Sequence, residues 1–148
     1  MRHPSKTKDK SDTQLLPAHL RLGAQGEDVA LDMLSNAGFI LLDRNWRYGR
    51  LELDLVFRDG DTTVFVEVKT RKHMTLGEPA QALTRAKRRT LCRAASAWLA
   101  AHNAWDSPCR FDVVCIKRMG NDFYPEHYRH AFSYEPPMDS CHAPWQPW

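Results

Sequence analysis

The apolar pattern of this 148-residue chain predicts an α/β sandwich, a mixed central β-sheet flanked by helices. Three observations carry that expectation. Residues 18–37 and 84–102 repeat their apolar positions at helical spacing. Between them, residues 51–57 and 64–70 are two runs rich in β-branched and aromatic side chains flanking Arg58-Asp59-Gly60-Asp61-Thr62-Thr63, which is a hairpin signal. Further on, residues 110–117 are largely apolar on both alternating faces, as in a strand covered from both sides.

Residues 1–17 are rich in Lys, Asp, Ser and Thr and bury too little surface to offset chain entropy, so a disordered tail is expected there. In the first helix Leu20, Ala24, Ala30, Leu31, Leu34 and Ala37 form the apolar stripe, and Gly38 is the left-handed residue expected beyond its end. Glu27 lies three and four positions before Ala30 and Leu31, so it shares that stripe. A carboxylate there needs a partner. An arginine at the stripe's edge would satisfy it, and so would a role in a site. Residues 39–47 read as the first strand, with Phe39, Ile40, Leu41 and Leu42 buried and Tyr48-Gly49-Arg50 turning into the hairpin. Arg44, Arg47 and Arg50 then stand near the acidic end of the hairpin, placed either to pair with Glu52 or to reach phosphate.

A loop centred on Gly60 and Asp61 sets Glu52 opposite Lys69 and Asp54 opposite Glu67. Alternation puts Leu51, Leu53, Leu55 and Phe57 on one apolar face with Val64, Val66 and Val68. The other face carries Val56 and Phe65, then Glu52, Asp54, Glu67 and Lys69. Carboxylates facing each other across strands cost about 0.2–1 kcal/mol. Either Lys69 and nearby arginines neutralise a solvent-facing cluster, or a divalent cation lies between Asp54 and Glu67. Magnesium, a hard oxygen-liganded ion, takes one or two carboxylates, waters and a substrate phosphate.

Beyond this point the chain is basic. Lys69, Arg71 and Lys72, then Arg85, Lys87, Arg88, Arg89 and Arg93, face only Glu78 in charge. This is the footprint of a polyanion binder, or else a solvated basic face. Residues 73–77 read as a loop at the rim. Thr84 can cap a helix whose stripe is Leu91, Ala94, Ala95, Trp98 and Leu99, and Lys87 extends that stripe towards the positive helix start. Residues 103–108 form a loop and residues 123–132 a last strand. Residues 134–148, with Pro136, Pro137, Pro144 and Pro147, are not expected to form a regular element. Residues 18–133 are thus expected to form a single domain.

The hydrophobic content of 43% is ordinary for a globular chain and the net charge of +3 is mild. There is no apolar run of about 18 residues and no charged start leading into an apolar stretch, so a cytoplasmic protein without membrane contact is expected. Cys92, Cys109, Cys115 and Cys141 lack paired zinc-site spacing. No phosphate-cradling or dinucleotide glycine fingerprint occurs, which leaves nucleotide hydrolysis and dinucleotide redox chemistry without support.

Asp54 followed by Glu67-Val68-Lys69 on the next strand resembles the PD-(D/E)xK signature of restriction-endonuclease-like nucleases. A longer ordered string resembles the YraN-like family of small bacterial proteins, from about Leu20 to Phe132. It comprises Gly26-Glu27, Arg44-Asn45, Glu52-Leu53-Asp54-Leu55-Val56, Val64 through Arg71, Gly77, Lys87 and Arg110-Phe111-Asp112-Val113-Val114. Leu51 departs from that family, which usually has glycine there. The resemblance implies a restriction-endonuclease-like sandwich and magnesium- or manganese-dependent cleavage of phosphodiester bonds, branched or structured DNA being a candidate substrate. It implies a metal held by Asp54, Glu67 and the Val68 carbonyl, with Glu27 contributing from its helix. Lys69 would orient water or stabilise charge, and Glu27 and Glu52 would be outer-shell or second-metal ligands. Arg44, Arg71, Lys72, Arg85, Lys87 and Arg88 would seat the nucleic acid, expected to be DNA, and resolvase-like relatives imply that two copies can pair. Two other functions stay open at this point: a nucleic-acid-binding module without catalysis, and a protein-interaction subunit using the Trp-rich tail or an apolar helix face.

Overall fold

A computed structural model describes residues 18–71 and 83–136, with side chains described from residue 21. The expected N-terminal tail, Lys72, the rim loop and the Pro/Trp-rich stretch from residue 137 lie outside the described residues. The elements are α1 (Ala18–Asn36), β1 (Ile40–Tyr48), β2 (Leu51–Asp59), β3 (Thr62–Arg71), α2 (Arg85–Ala101), β4 (Cys109–Met119) and β5 (Asp122–Phe132). The strands form one sheet in the order β1-β2-β3-β4-β5. All neighbours are antiparallel except β3 and β4, which run parallel with α2 as their crossover. This is the mixed α/β sandwich that the apolar pattern implies.

Each helix ends where its sequence dictates. At the end of α1 the Phe39 amide donates to the Leu34 carbonyl and the Gly38 amide to the Ser35 carbonyl, both at 3.1 Å. Gly38 has φ 94°, so the last carbonyls of the helix are satisfied by a reversal that favours glycine. At the start of α2 the Thr84 hydroxyl accepts from the Lys87 amide at 3.1 Å. No helix among the described residues is long and apolar enough to cross a membrane.

Two apolar clusters hold the layers together. Under α2, Leu91, Ala94, Ala95, Trp98 and Leu99 pack on Leu53, Val56, Phe65, Phe111 and Val113. Under α1, Ala30 and Leu34 pack on Leu55, Phe57, Val64, Val66, Val114 and Ile116. Both faces of β4 are therefore covered, as expected.

Two expectations for β1 and β2 are corrected. Ile40, Leu41 and Leu42 are 51%, 39% and 39% exposed rather than buried, because β1 is an edge strand and α1 packs chiefly on β3. The leucines of β2 also do not share a face: Leu55 lies under α1, whereas Leu51 and Leu53 belong with the α2 cluster. The change of face sits at one spot. The β1–β2 ladder pairs Arg44 with Leu55 and Trp46 with Leu53 but skips Asn45 and Asp54. Asn45 has φ 50°, in a region that asparagine tolerates better than most side chains. This left-handed residue of β1 stands beside the point where the faces change on β2.

The far end of the sheet is tied by a buried ion network. Asp112, 1% exposed, accepts from Arg110 at 3.0 and 3.2 Å, from the His130 amide at 3.2 Å, and lies 2.7 Å from His127 Nε2. Arg110 also donates to Asp59 at 2.9 Å. Burial alone would raise Asp112, but the His127 and Arg110 hydrogen bonds and the His130 amide outweigh it and hold the carboxyl below its ordinary range.

Close approach of α1 to β3 depends on Gly26. A Cβ at that position would stand 1.9 Å from Thr70 Oγ1. Gly26→Ala is therefore expected to destabilise the protein by about 1–3 kcal/mol in urea unfolding, despite the better helix propensity of alanine. Adding Thr70→Ala should recover most of that loss. Wild-type stability in the single variant would contradict the close packing.

Candidate active site

The β2–β3 hairpin pairs as expected from Asp59–Thr62 to Leu55–Val66, and its ladder ends there. The direct pairings of Asp54 with Glu67 and of Glu52 with Lys69, expected from the loop centre, are not part of the ladder. Past Leu55 the two strands take different partners: β2 continues along β1, and β3 along β4 as far as Arg71. A side chain enters the break. Asp54 Oδ2 accepts from the Val68 amide at 2.9 Å, so a carboxylate substitutes for a backbone acceptor.

This break opens into a cleft of about 530 Å³ lined by Leu22, Gly23 and Glu27 of α1, Asp54 of β2, and Glu67, Val68, Lys69, Thr70 and Arg71 of β3. Asp54 is pushed up from its ordinary 3.8 to about 7, first by burial and then by the negative charge of Glu67, against the favourable Val68 amide. Glu67 is only 7% exposed. Its Oε1 lies 3.3 Å from Lys69 Nζ and 3.4 Å from Lys87 Nζ, so the first turn of α2 reaches the site as expected. Glu27 is raised mainly by burial, offset by hydrogen bonds from Asn45 and Arg44. Arg44 lies 3.4 Å from Glu27 and 2.7 Å from Asp28.

Of the residues singled out in the sequence, Asp54, Glu67, Val68, Lys69, Glu27 and Arg71 thus converge on one cleft, and Lys87 joins them. Glu52 does not line it; its partner is Arg47 at 3.4 Å, both side chains being well exposed. Arg44 is occupied by the α1 carboxylates. Arg85 and Arg88 line a different cleft of about 780 Å³, with Arg89, Arg93 and Phe132. The periodicity of the sequence left out Asn45 and Thr70. Both do stand in the ordered string that carries the family resemblance, which is the sequence signal that reaches them.

Among the described residues no three His, Cys, Asp or Glu side chains cluster as a ready metal cage. Asp54 and Glu67 nevertheless fit magnesium or manganese, which accept a pair of carboxylates with waters and phosphate completing the shell. Their all-oxygen donor set matches these hard ions. The mutual repulsion that raises Asp54 is a cost that a cation would relieve.

Comparison with known proteins decides the family. The family model described as uncharacterised protein family UPF0102 matches residues 26–116. The chain belongs to this family. A UPF0102 protein of Nitratidesulfovibrio vulgaris strain Hildenborough is 46% identical over 134 residues, covering 90% of this chain and 100% of the relative. One from Lawsonia intracellularis is 45% identical over 127 residues, 86% of this chain and 96% of its own. One from Beutenbergia cavernae is 50% identical over 97 residues, 66% and 82% respectively. In this UPF0102 chain the matched span runs from the glycine that seats α1 to the end of the α1-facing cluster in β4. It includes Glu27, Asn45, Asp54, Glu67, Lys69 and Lys87.

The raised Asp54 gives a stability signature. A folded carboxyl that holds its proton more tightly than the unfolded chain loses stability as pH rises from about 4 to about 7, and carries a constant penalty above that. Asp54→Asn keeps an acceptor for Val68 and removes the charge. In chelator it is expected to melt close to wild type at pH 4 and roughly 5 °C higher at pH 8. An equal gap at both pH values would contradict the shift.

Proposed function

We propose that this UPF0102 protein is a magnesium- or manganese-dependent nuclease that hydrolyses phosphodiester bonds, with DNA as its expected substrate. One observation carries the reading: Asp54, held by the Val68 amide, and the buried Glu67, with the Lys69 and Lys87 amines on it, share one cleft opened by diverging strands. Such an arrangement costs stability and suits charge handling, which is the usual mark of a site under functional rather than structural demand. The resemblance of Asp54 and Glu67-Val68-Lys69 to the PD-(D/E)xK signature points the same way.

A divalent ion held by Asp54 and Glu67 would polarise the scissile phosphate and lower the pKa of a bound water. The chain's own groups do the rest. The Val68 amide fixes the Asp54 carboxylate, so its orientation is set before substrate arrives. Lys69, held beside Glu67, is placed to donate to a phosphate oxygen as negative charge grows on phosphorus. Lys87 and Arg71 add positive charge around the same cleft and offset the charge of the approaching backbone. Glu27 adds a third carboxyl at the cleft wall, oriented by Asn45 and Arg44.

A second reading has its own support. Lys69 and Lys87 together can neutralise Glu67 without a metal ion, as in a nucleic-acid-binding module with no chemistry. Salt-sensitive binding with no product under any metal would favour it.

The decisive assay incubates labelled single-stranded, duplex, flapped and branched DNA with the protein in magnesium or manganese. Asp54→Ala and Lys69→Ala are expected to lose at least about a hundredfold in cleavage rate, with circular dichroism and binding in chelator retained. Cleavage that persists unchanged in both variants, or no cleavage of any substrate by wild type, would overturn the nuclease reading.

A further inference from the structure

Trp46 and Tyr48, at the end of β1, have nearly parallel rings, with centroids 6.2 Å apart and planes 8° from one another. Tyr48 is 66% exposed, far more than packing alone needs from a large aromatic side chain. Trp46 is anchored at its base by the α2-side apolar cluster. His102 lies edge-on to it at 6.4 Å and is itself stacked on Trp98 at 4.0 Å. Asp43 fixes that support, accepting from Trp98 Nε1 at 3.0 Å and lying 3.5 Å from His102 Nε2. The outcome is a pair of parallel rings, braced on the Trp46 side, whose outer member faces solvent.

The surroundings select the occupant. Arg50 is exposed two residues beyond Tyr48, and Arg47, which alternates to the other face of β1 and lies 3.4 Å from Glu52, is 71% exposed at the same edge. The platform also lies at the same end of the sheet as the acidic cleft. Tyr48 pairs with Leu51, and Asp54 is three residues further along β2, a distance of about 10 Å. Exposed parallel aromatics beside arginines, next to a cleft suited to phosphate, match the stacking platforms and basic grooves that hold single-stranded nucleic acid.

We propose that Trp46 and Tyr48 stack an unpaired base within a few nucleotides of the phosphate held in the acidic cleft, so that the protein recognises single-stranded or flapped nucleic acid. This rests on reading the cleft as a phosphodiester site. Arg50 contacts the flanking backbone, Arg47 does so on leaving Glu52, and Trp46, braced by His102, keeps the platform from collapsing onto the sheet.

The test uses single-stranded DNA carrying 2-aminopurine, whose fluorescence is quenched on stacking, moved one position at a time along the strand. It is read in chelator and again in calcium, so that no cleavage is needed. Wild type is expected to quench the probe at one or two adjacent positions. Tyr48→Ala should abolish that quench and weaken binding about tenfold, while Tyr48→Phe, which keeps the ring, should behave as wild type. Equal quenching and affinity in Tyr48→Ala, or no position-specific quench with wild type in either buffer, would overturn the platform. Quenching without cleavage in magnesium or manganese would sink the nuclease reading and leave the platform standing. Cleavage of flapped DNA that is unaffected by Tyr48→Ala would do the reverse.

Discussion

The structure turns on one hydrogen bond, from the Val68 amide to the carboxylate of Asp54. In an uninterrupted hairpin that amide would bond to a strand carbonyl, and the sheet would close over the position. Here a side chain takes the acceptor's place. β2 is then free to follow β1, β3 to follow β4, and the gap between them becomes the cleft. The same bond brings Asp54 against Glu67, where burial and like charge make ionisation costly. The shape of the cleft and its electrostatic stress therefore share a single cause.

Neighbouring elements are fitted to that gap. Gly26 allows α1 to lie against Thr70, which brings Glu27 to the cleft wall. Asn45, in a backbone conformation unusual for a residue with a side chain, stands where the faces change beside Asp54, and its side chain hydrogen-bonds Glu27. From the other layer, Lys87 in the first turn of α2 reaches Glu67. Groups from both layers thus meet at one edge-to-centre opening of the sheet. The Asp59, Arg110, Asp112 and His127 network at the far end involves β2, β4 and β5 and ties the strands where they do not diverge.

Much of this was legible in the sequence because it rests on short-range rules. Helix stripes, the Gly38 stop, the Thr84 cap and the loop of the β2–β3 hairpin each depend on a few neighbouring residues. The acidic constellation was legible for a related reason: Asp54, Glu67 and Lys69 lie on the two strands of one hairpin, although its ladder stops before pairing them. Simple alternation does not persist along β1 and β2. Leu53 and Leu55 look like partners on one face, yet they lie in the clusters under α2 and α1 respectively. Ile40, Leu41 and Leu42 look like a core strand, and only the strand order makes them an edge. The basic run after Lys69 divided in the same way. Arg71 and Lys87 face the acids, whereas Arg85 and Arg88 line another cleft, because helical rotation along α2 separates residues adjacent in sequence.

The central claim is that Asp54 and Glu67 form a strained pair suited to a divalent cation. Calorimetric titration of manganese into the protein at pH 8 tests it most directly. One ion per chain should bind, with binding lost in both Asp54→Asn and Glu67→Gln. No binding at millimolar manganese, or binding unchanged by either substitution, would contradict the account.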